Sequence, residues 1–177
     1  MAYIGVAPLT ATLEADDIPN GIVSADKLSS TLDLSSKTVT LPSGVGGKVL
    51  QVVQATDETA RSTTSGTYVT ASNTLSVSIT PSSTSNKILI LTNTPTYQSS
   101  TGATMNAAIF KDASQLKYIS YNFQRNDNSN VINAIYLDSP ATTSSITYDI
   151  RFSISTGTGY INASGSIGTI TAMEIAA

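Results

Sequence analysis

The sequence has no cysteine, no histidine and no tryptophan. Without cysteine there is no disulfide and no thiolate nucleophile, and without cysteine or histidine there is no Cys/His zinc site. The side chain that most often moves protons near neutral pH is missing as well. Charge is scarce: 9 Lys and Arg stand against 12 Asp and Glu, 12% of 177 residues, for a net charge of −3. Nine scattered basic residues leave no electrostatic footprint for nucleic acid. No run approaches the roughly 20 apolar residues that span a bilayer. The opening "MAYIGVAPLTATLEADD" has neither the basic region nor the apolar core of a signal peptide. DNA binding and membrane insertion are therefore not expected, and no motif calls for a cofactor.

What the chain does have is hydroxyl: 26 Thr and 26 Ser beside 40% apolar residues. Thr is β-branched and fits a pleated surface, and that apolar fraction is too high for a disordered chain. A folded β-protein is expected.

Three zones follow along the chain. Residues 1–23 carry Pro8, Pro19 and the turn pair Asn20-Gly21 without a sustained helical period, and "LTATLEA" permits a short strand at most. This zone reads as an extended arm that needs a partner surface to be ordered. Residues 24–47 begin with Ser24 as an N-cap and Asp26 in the first turn, where a carboxylate suits the helix dipole. Ala25, Leu28 and Leu32 then form one apolar stripe at three- and four-residue spacing. So short a helix needs something to pack on, and both its own domain and copies of itself remain open. "KTVTLP" reads as a short strand and "PSGVGG" as a hinge.

Residues 48–177 read as a succession of strands: "KVLQVVQ", "GTYVTA", "TLSVSIT", "KILILT", "TMNAAIF", "LKYISYNF", "VINAIYL", "SITYDIRFSI", "YINAS" and "GTITAMEIA". "KILILT" is apolar on both faces and belongs in a sheet centre. Turn-rich breaks such as "PSSTSN", "KDAS" and "STGTG" separate them. Nine or ten short strands at this spacing, with no crossover helices, predict an all-β fold: an antiparallel, jelly-roll-like β-sandwich preceded by an extended arm and one short α-helix.

The candidates for chemistry are few. Asp57 and Glu58 are adjacent, so on a strand they point to opposite faces and cannot oppose each other across a cleft; with Arg61 they read as a solvated turn. Asp149 and Arg151 share the outward face of one strand and read as a surface ion pair that Glu174 could join. The loop Arg125–Asn130 offers Asp and Asn oxygens of the kind Ca²⁺ prefers but lacks EF-hand spacing. A weak cation site there stays open beside a plain hairpin loop. "NAS" at Asn162 matches a glycosylation sequon and is read as coincidental. Among the eight tyrosines, Tyr97, Tyr118, Tyr121 and Tyr136 fall in or near strand ends and loops. Tyr combines an apolar face with a hydroxyl, which suits sugar or protein contacts as well as packing.

The segment "GKVLQVVQATDETARSTTSGTYV…TLSVSITPSSTSNKILIL" (Gly47 to Leu91) resembles a module of tail-fibre and other virion proteins of tailed phages, especially marine and cyanobacterial ones. "MAYIG", "ADKLSSTLDLSSKTVTLP" and "TAMEIAA" resemble the same group, whereas residues 93–168 match only the general β-pattern. The resemblance implies a non-enzymatic structural protein of the virion, a homotrimer forming a short phage fibre. Its arm would dock on tail, collar or capsid proteins through Tyr3, Ile4, Leu9 and Leu13, with Ala25, Leu28 and Leu32 as the trimer seam. Its β-domain would project outward to a host-surface glycan, with Tyr97, Tyr118, Tyr121 and Arg125 as candidate contacts. The chain is short for a long tail fibre, which keeps a capsid decoration or cement protein as the alternative. A glycan-degrading enzyme is the second alternative and requires two facing carboxylates about 5–10 Å apart.

Overall fold

A computed structural model gives the fold and describes residues 48–71, 73–123 and 130–177. The chain divides after Gly46. Tyr3, Ile4, Leu9, Leu13, Ala25, Leu28 and Leu32 lie outside the described residues, as does Arg125 with most of the proposed cation loop.

The described residues form ten strands: β1 Val49–Asp57, β2 Arg61–Thr63, β3 Ser76–Ile79, β4 Lys87–Gln98, β5 Thr104–Lys111, β6 Ser114–Phe123, β7 Asn130–Asp138, β8 Ile146–Ile154, β9 Gly159–Ile161 and β10 Gly168–Ile175. Every ladder is antiparallel. One sheet places β4 between β7 on one edge and β10, continued by β9, on the other; β1 and then β2 flank those. The second sheet runs β3-β8-β5-β6. The expected antiparallel β-sandwich is the fold.

Period-two alternation explains the packing. On β8, Ile146, Tyr148, Ile150, Phe152 and Ile154 are buried, and on β4 so are Ile88 and Ile90. Leu75, Val77 and Ile79 close the core from the β3 side, and Met105, Ile109, Ile161 and Ile170 complete it. Each such side chain removed from water contributes roughly 1.5–3 kcal/mol. The inward face of β4 changes character along its length: after Ile90 it presents Thr92, Thr94 and Thr96, all buried, with Thr92 Oγ1 3.2 Å from Thr94 Oγ1. The hydroxyl-rich composition is therefore partly an interior feature.

Two strand expectations change. "GTYVTA" is not a strand but makes a single bridge, Val69 to Phe152, within a segment that runs along the edge of β8. Instead the short β2 forms upstream and pairs with β9. At the β5–β6 turn, Asp112 and Ala113 both have positive φ, 47° and 70°. That is the handedness a two-residue hairpin needs to match strand twist.

Candidate functional site

Two of the carboxylates singled out from sequence, Asp57 and Glu174, turn out to hold distant parts of the fold together. Asp57 ends β1 on the inward side, with Gln51, Val53 and Ala55, and is only 5% exposed. Its carboxylate accepts from Thr59 N at 2.9 Å, Thr74 N at 3.1 Å and Arg61 Nε at 3.3 Å. Burial raises its pKa, but the two backbone N–H groups and Arg61 outweigh this and hold it below the ordinary value. The solvated turn expected here is thus wrong for Asp57: alternation along β1 turns it inward, where it ties the chain after β1 to the segment before β3. Glu58 is exposed.

Glu174 does not join Asp149 and Arg151. It lies on the inward face of β10, after Ile170 and Ala172, and is 1% exposed. Gln51 Nε2 (2.6 Å), Ser82 N (2.6 Å), Ser82 Oγ (2.7 Å) and Asn86 Nδ2 (2.6 Å) all donate to it. Burial works against ionisation, yet the donors from Asn86, Gln51 and Ser82 prevail and hold its pKa down to about 2. Residues of the "PSSTSN" turn are therefore ligands of a buried carboxylate.

Asp149 and Arg151 do pair, at 2.7 Å, but Asp149 is buried because the guanidinium lies over it and over the Phe110 ring, 4.3 Å from the centroid. Tyr68 packs edge-on against the same ring at 5.7 Å. Asp138, not singled out from sequence, accepts from Lys111 Nζ at 2.9 Å and from the core hydroxyl of Tyr148 at 2.7 Å. Among the described residues no group of three or more acids gathers into a metal-ligand set. Asn162 is fully buried with φ 54°, so its sequon is closed to modification in the folded domain.

The tyrosines separate. Tyr97, near the end of β4, packs on Tyr160 of β9 with ring centroids 5.6 Å apart. Tyr118, on β6 of the other sheet, is 42% exposed and donates to Asn106 Oδ1 at 3.2 Å. Tyr121 pairs with Asn106 through the β5–β6 ladder, and Tyr136 is partly buried against the core. Tyr97, Tyr118 and Tyr136 do not converge on one site. Tyr97 does line a cleft of about 400 Å³ with Pro95, Thr96, Val131, Ser164 and Ser166. Among the described residues its walls carry an aromatic ring, aliphatic surface and hydroxyls and no charged side chain, a lining that suits an uncharged polar ligand.

No family model matches the sequence, and no curated protein matches it. Solved structures match in fold. VP2 of infectious bursal disease virus, in its subviral particle, matches with a TM-score of 0.51 and 15% identity over 71% of this chain and 32% of that one. The structure of the Gt strain of the same virus gives 0.47 and 16% identity, over 79% of this chain and 42% of that one. The chain thus spans less than half the length of the proteins it matches, and at these identities the likeness is one of β-sandwich fold alone.

Proposed function

We propose that the chain is a structural, non-enzymatic component of a virus particle: a short, homotrimeric phage fibre, anchored by residues 1–23, whose β-sandwich stands at the particle surface. The observation that carries this reading is the fold likeness to VP2, a protein that forms a subviral particle, taken together with the phage-fibre phrase from Gly47 to Leu91. The disposition of the acids supports it. Asp57, Asp112, Asp138, Asp149 and Glu174 are each engaged in hydrogen bonds that hold strands or turns. In this reading the Tyr97 cleft is the part of the β-domain offered to a host-surface glycan, because an aromatic face with neutral hydroxyl neighbours suits a sugar ring.

Decoration of the capsid shell is the second reading, favoured by the fact that the matched fold comes from a protein of a particle rather than of a fibre. Quantitative mass spectrometry of purified particles tests both. A few dozen copies or fewer per particle fits a fibre and hundreds fit shell cement. Absence of the protein from the particles rejects the proposal.

A further inference from the structure

Among the described residues three buried side-chain atoms have no hydrogen-bond partner, and two of them are the Oδ1 and Nδ2 of one amide, Asn162. Its place follows from the ladders. Ile161 is the last rung of β9 against β4, opposite Thr96, and Asn162 N still donates to Pro95 O at 3.0 Å. There the backbone turns left-handed, a conformation that Asn tolerates better than most residues. The amide swings onto Gly168 at the start of β10. A Cβ at Gly168 would stand 2.5 Å from Asn162 Oδ1 and 2.9 Å from Leu75 Cδ1. Glycine at 168 thus makes room for the amide.

The row in which the amide stands is polar on both flanks. Asp57 is the β1 partner of Gly168. Extending the β10–β4 register one residue beyond Thr169 and Asn93 sets Thr94 on the other side. Asp57 and Thr94 are both buried, so carboxylate, amide and hydroxyl follow one another across the inner face of the sheet. Each has bonding capacity to spare. The Asp57 carboxylate accepts from three N–H groups, where its oxygens offer about four sites. Thr94 Oγ1 meets only Thr92 Oγ1, and the Asn162 amide has used none of its capacity. A buried amide left in that state is rare, because its desolvation goes uncompensated.

We infer that Asn162, Asp57 and Thr94 form a site for internal water, which bridges the amide to the carboxylate on one side and to the hydroxyl on the other. Spacing selects water over direct contact. Neighbouring strands stand about 4.8 Å apart, and two hydrogen bonds of about 2.8 Å meeting at a tetrahedral oxygen span about 4.6 Å. Chemistry selects it too, since Nδ2 only donates and the carboxylate only accepts, and water does both. Charge excludes ions: Asp57 repels an anion, and Arg61, at 3.3 Å, already neutralises it against a cation. The consequence reaches the surface. Asn162 precedes the turn whose residues 163–166 wall the Tyr97 cleft, so the hydrated amide holds that wall from beneath. The inference stands whether or not the cleft takes a sugar.

A high-resolution crystal structure of the full-length protein reads the site directly. The expected result is a water oxygen within about 3.2 Å of the Asn162 amide and of Asp57 or Thr94. An amide bonded directly to protein groups, or one with no water beside it, overturns the inference. In solution, deuteron magnetic relaxation dispersion counts long-lived internal waters. Asn162→Gly with Gly168→Ala removes the amide, keeps a residue suited to the left-handed position and sets a methyl group in the amide's place. The pair should lower the count by at least one, and an unchanged count overturns the site. Gly168→Ala alone should melt below the pair, because methyl and amide cannot share the space. The reverse order would show that the amide does not stand over Gly168, and would remove the basis of the site. Should the pair fail to fold, the crystal structure decides alone.

Discussion

Asn86 and Glu174, 88 residues apart in the chain, meet at 2.6 Å inside the protein. The amide donates to a carboxylate that is 1% exposed and has no Lys or Arg beside it among the described residues. Neutral donors alone hold the charge there. Removing it takes the shared acceptor from Gln51, Ser82 and Asn86, leaving Gln51 Nε2 only Thr80 O at 2.7 Å and Asn86 Nδ2 only Ser82 Oγ at 3.1 Å, at a cost of about 3 kcal/mol. Glu174→Ala should therefore be the most destabilising single change at this end of the sandwich, measured as a fall in the denaturant midpoint.

The same group sets an acid limit. Its folded pKa of about 2 lies below the ordinary 4.5. A depressed carboxyl contributes stability that is fully present above the unfolded value and disappears as pH falls through the folded one. Asp57 is lowered too and adds to the loss in the same direction. Melting temperature should be flat from pH 7 to about 5 and fall steadily from there toward pH 2. Glu174→Gln should flatten that fall while lowering the plateau; an unchanged profile would refute the role given to this residue.

Tyr148 has its hydroxyl in the core, donating to Asp138 at 2.7 Å. Burial, then the bond to Asp138, push its phenol above the ordinary tyrosine value. In a spectrophotometric titration at alkaline pH, one tyrosine should ionise only when the protein unfolds. Tyr148→Phe should remove that late step and cost about 1.5–3 kcal/mol, the usual range for a hydrogen bond to a charged group.

Ala113 occupies a left-handed backbone position at φ 70°, where a Cβ costs roughly 1–2 kcal/mol. Ala113→Gly makes the turn Asp-Gly, the pair this hairpin geometry favours. After the extra freedom glycine gains in the unfolded chain, the net gain should be about 0.5–1 kcal/mol, seen as a rise in Tm. A lower Tm would show that the turn conformation is not the one described.

Tyr97→Ala opens the test of the cleft. If the cleft takes a sugar, the substitution should abolish binding to whichever member of a bacterial-glycan array the full-length protein recognises, while Tyr118→Ala on the other sheet should leave it unchanged. Equal retention by both variants would place recognition elsewhere.

Most strands were legible: alternation let β8 be assigned face by face from "SITYDIRFSI", and the doubly apolar "KILILT" did prove central, whereas "GTYVTA" is not a strand and the short β2 had no pattern to announce it. The charged residues were harder. Glu174 follows Ile170 and Ala172 at two-residue steps, and that parity alone places it inside; acidity argued for the surface and prevailed. Its donors lie 92, 88 and 123 positions away, and no local pattern announces such partners. Asp57 misled for the same reason, sharing parity with Val53 and Ala55 while sitting in an apparently polar run. Which residues sit side by side on the outer face of β1, β10, β4 and β7 depends on the register of three ladders, which sequence periodicity does not supply.

Finally, the two ends of the described sandwich lie together. Lys48 O accepts from Ala176 N at 2.7 Å, and Lys48 Nζ reaches Ala177 O at 3.1 Å. Mechanically, a load drawing residues 48 and 177 apart peels β1 from β10 one rung at a time instead of shearing all rungs at once. The first few rungs are where Gln51 and Glu174 are clasped across the pair. The buried carboxylate thus sits where a zipper needs its stop, and tearing under tension would have to begin by breaking it.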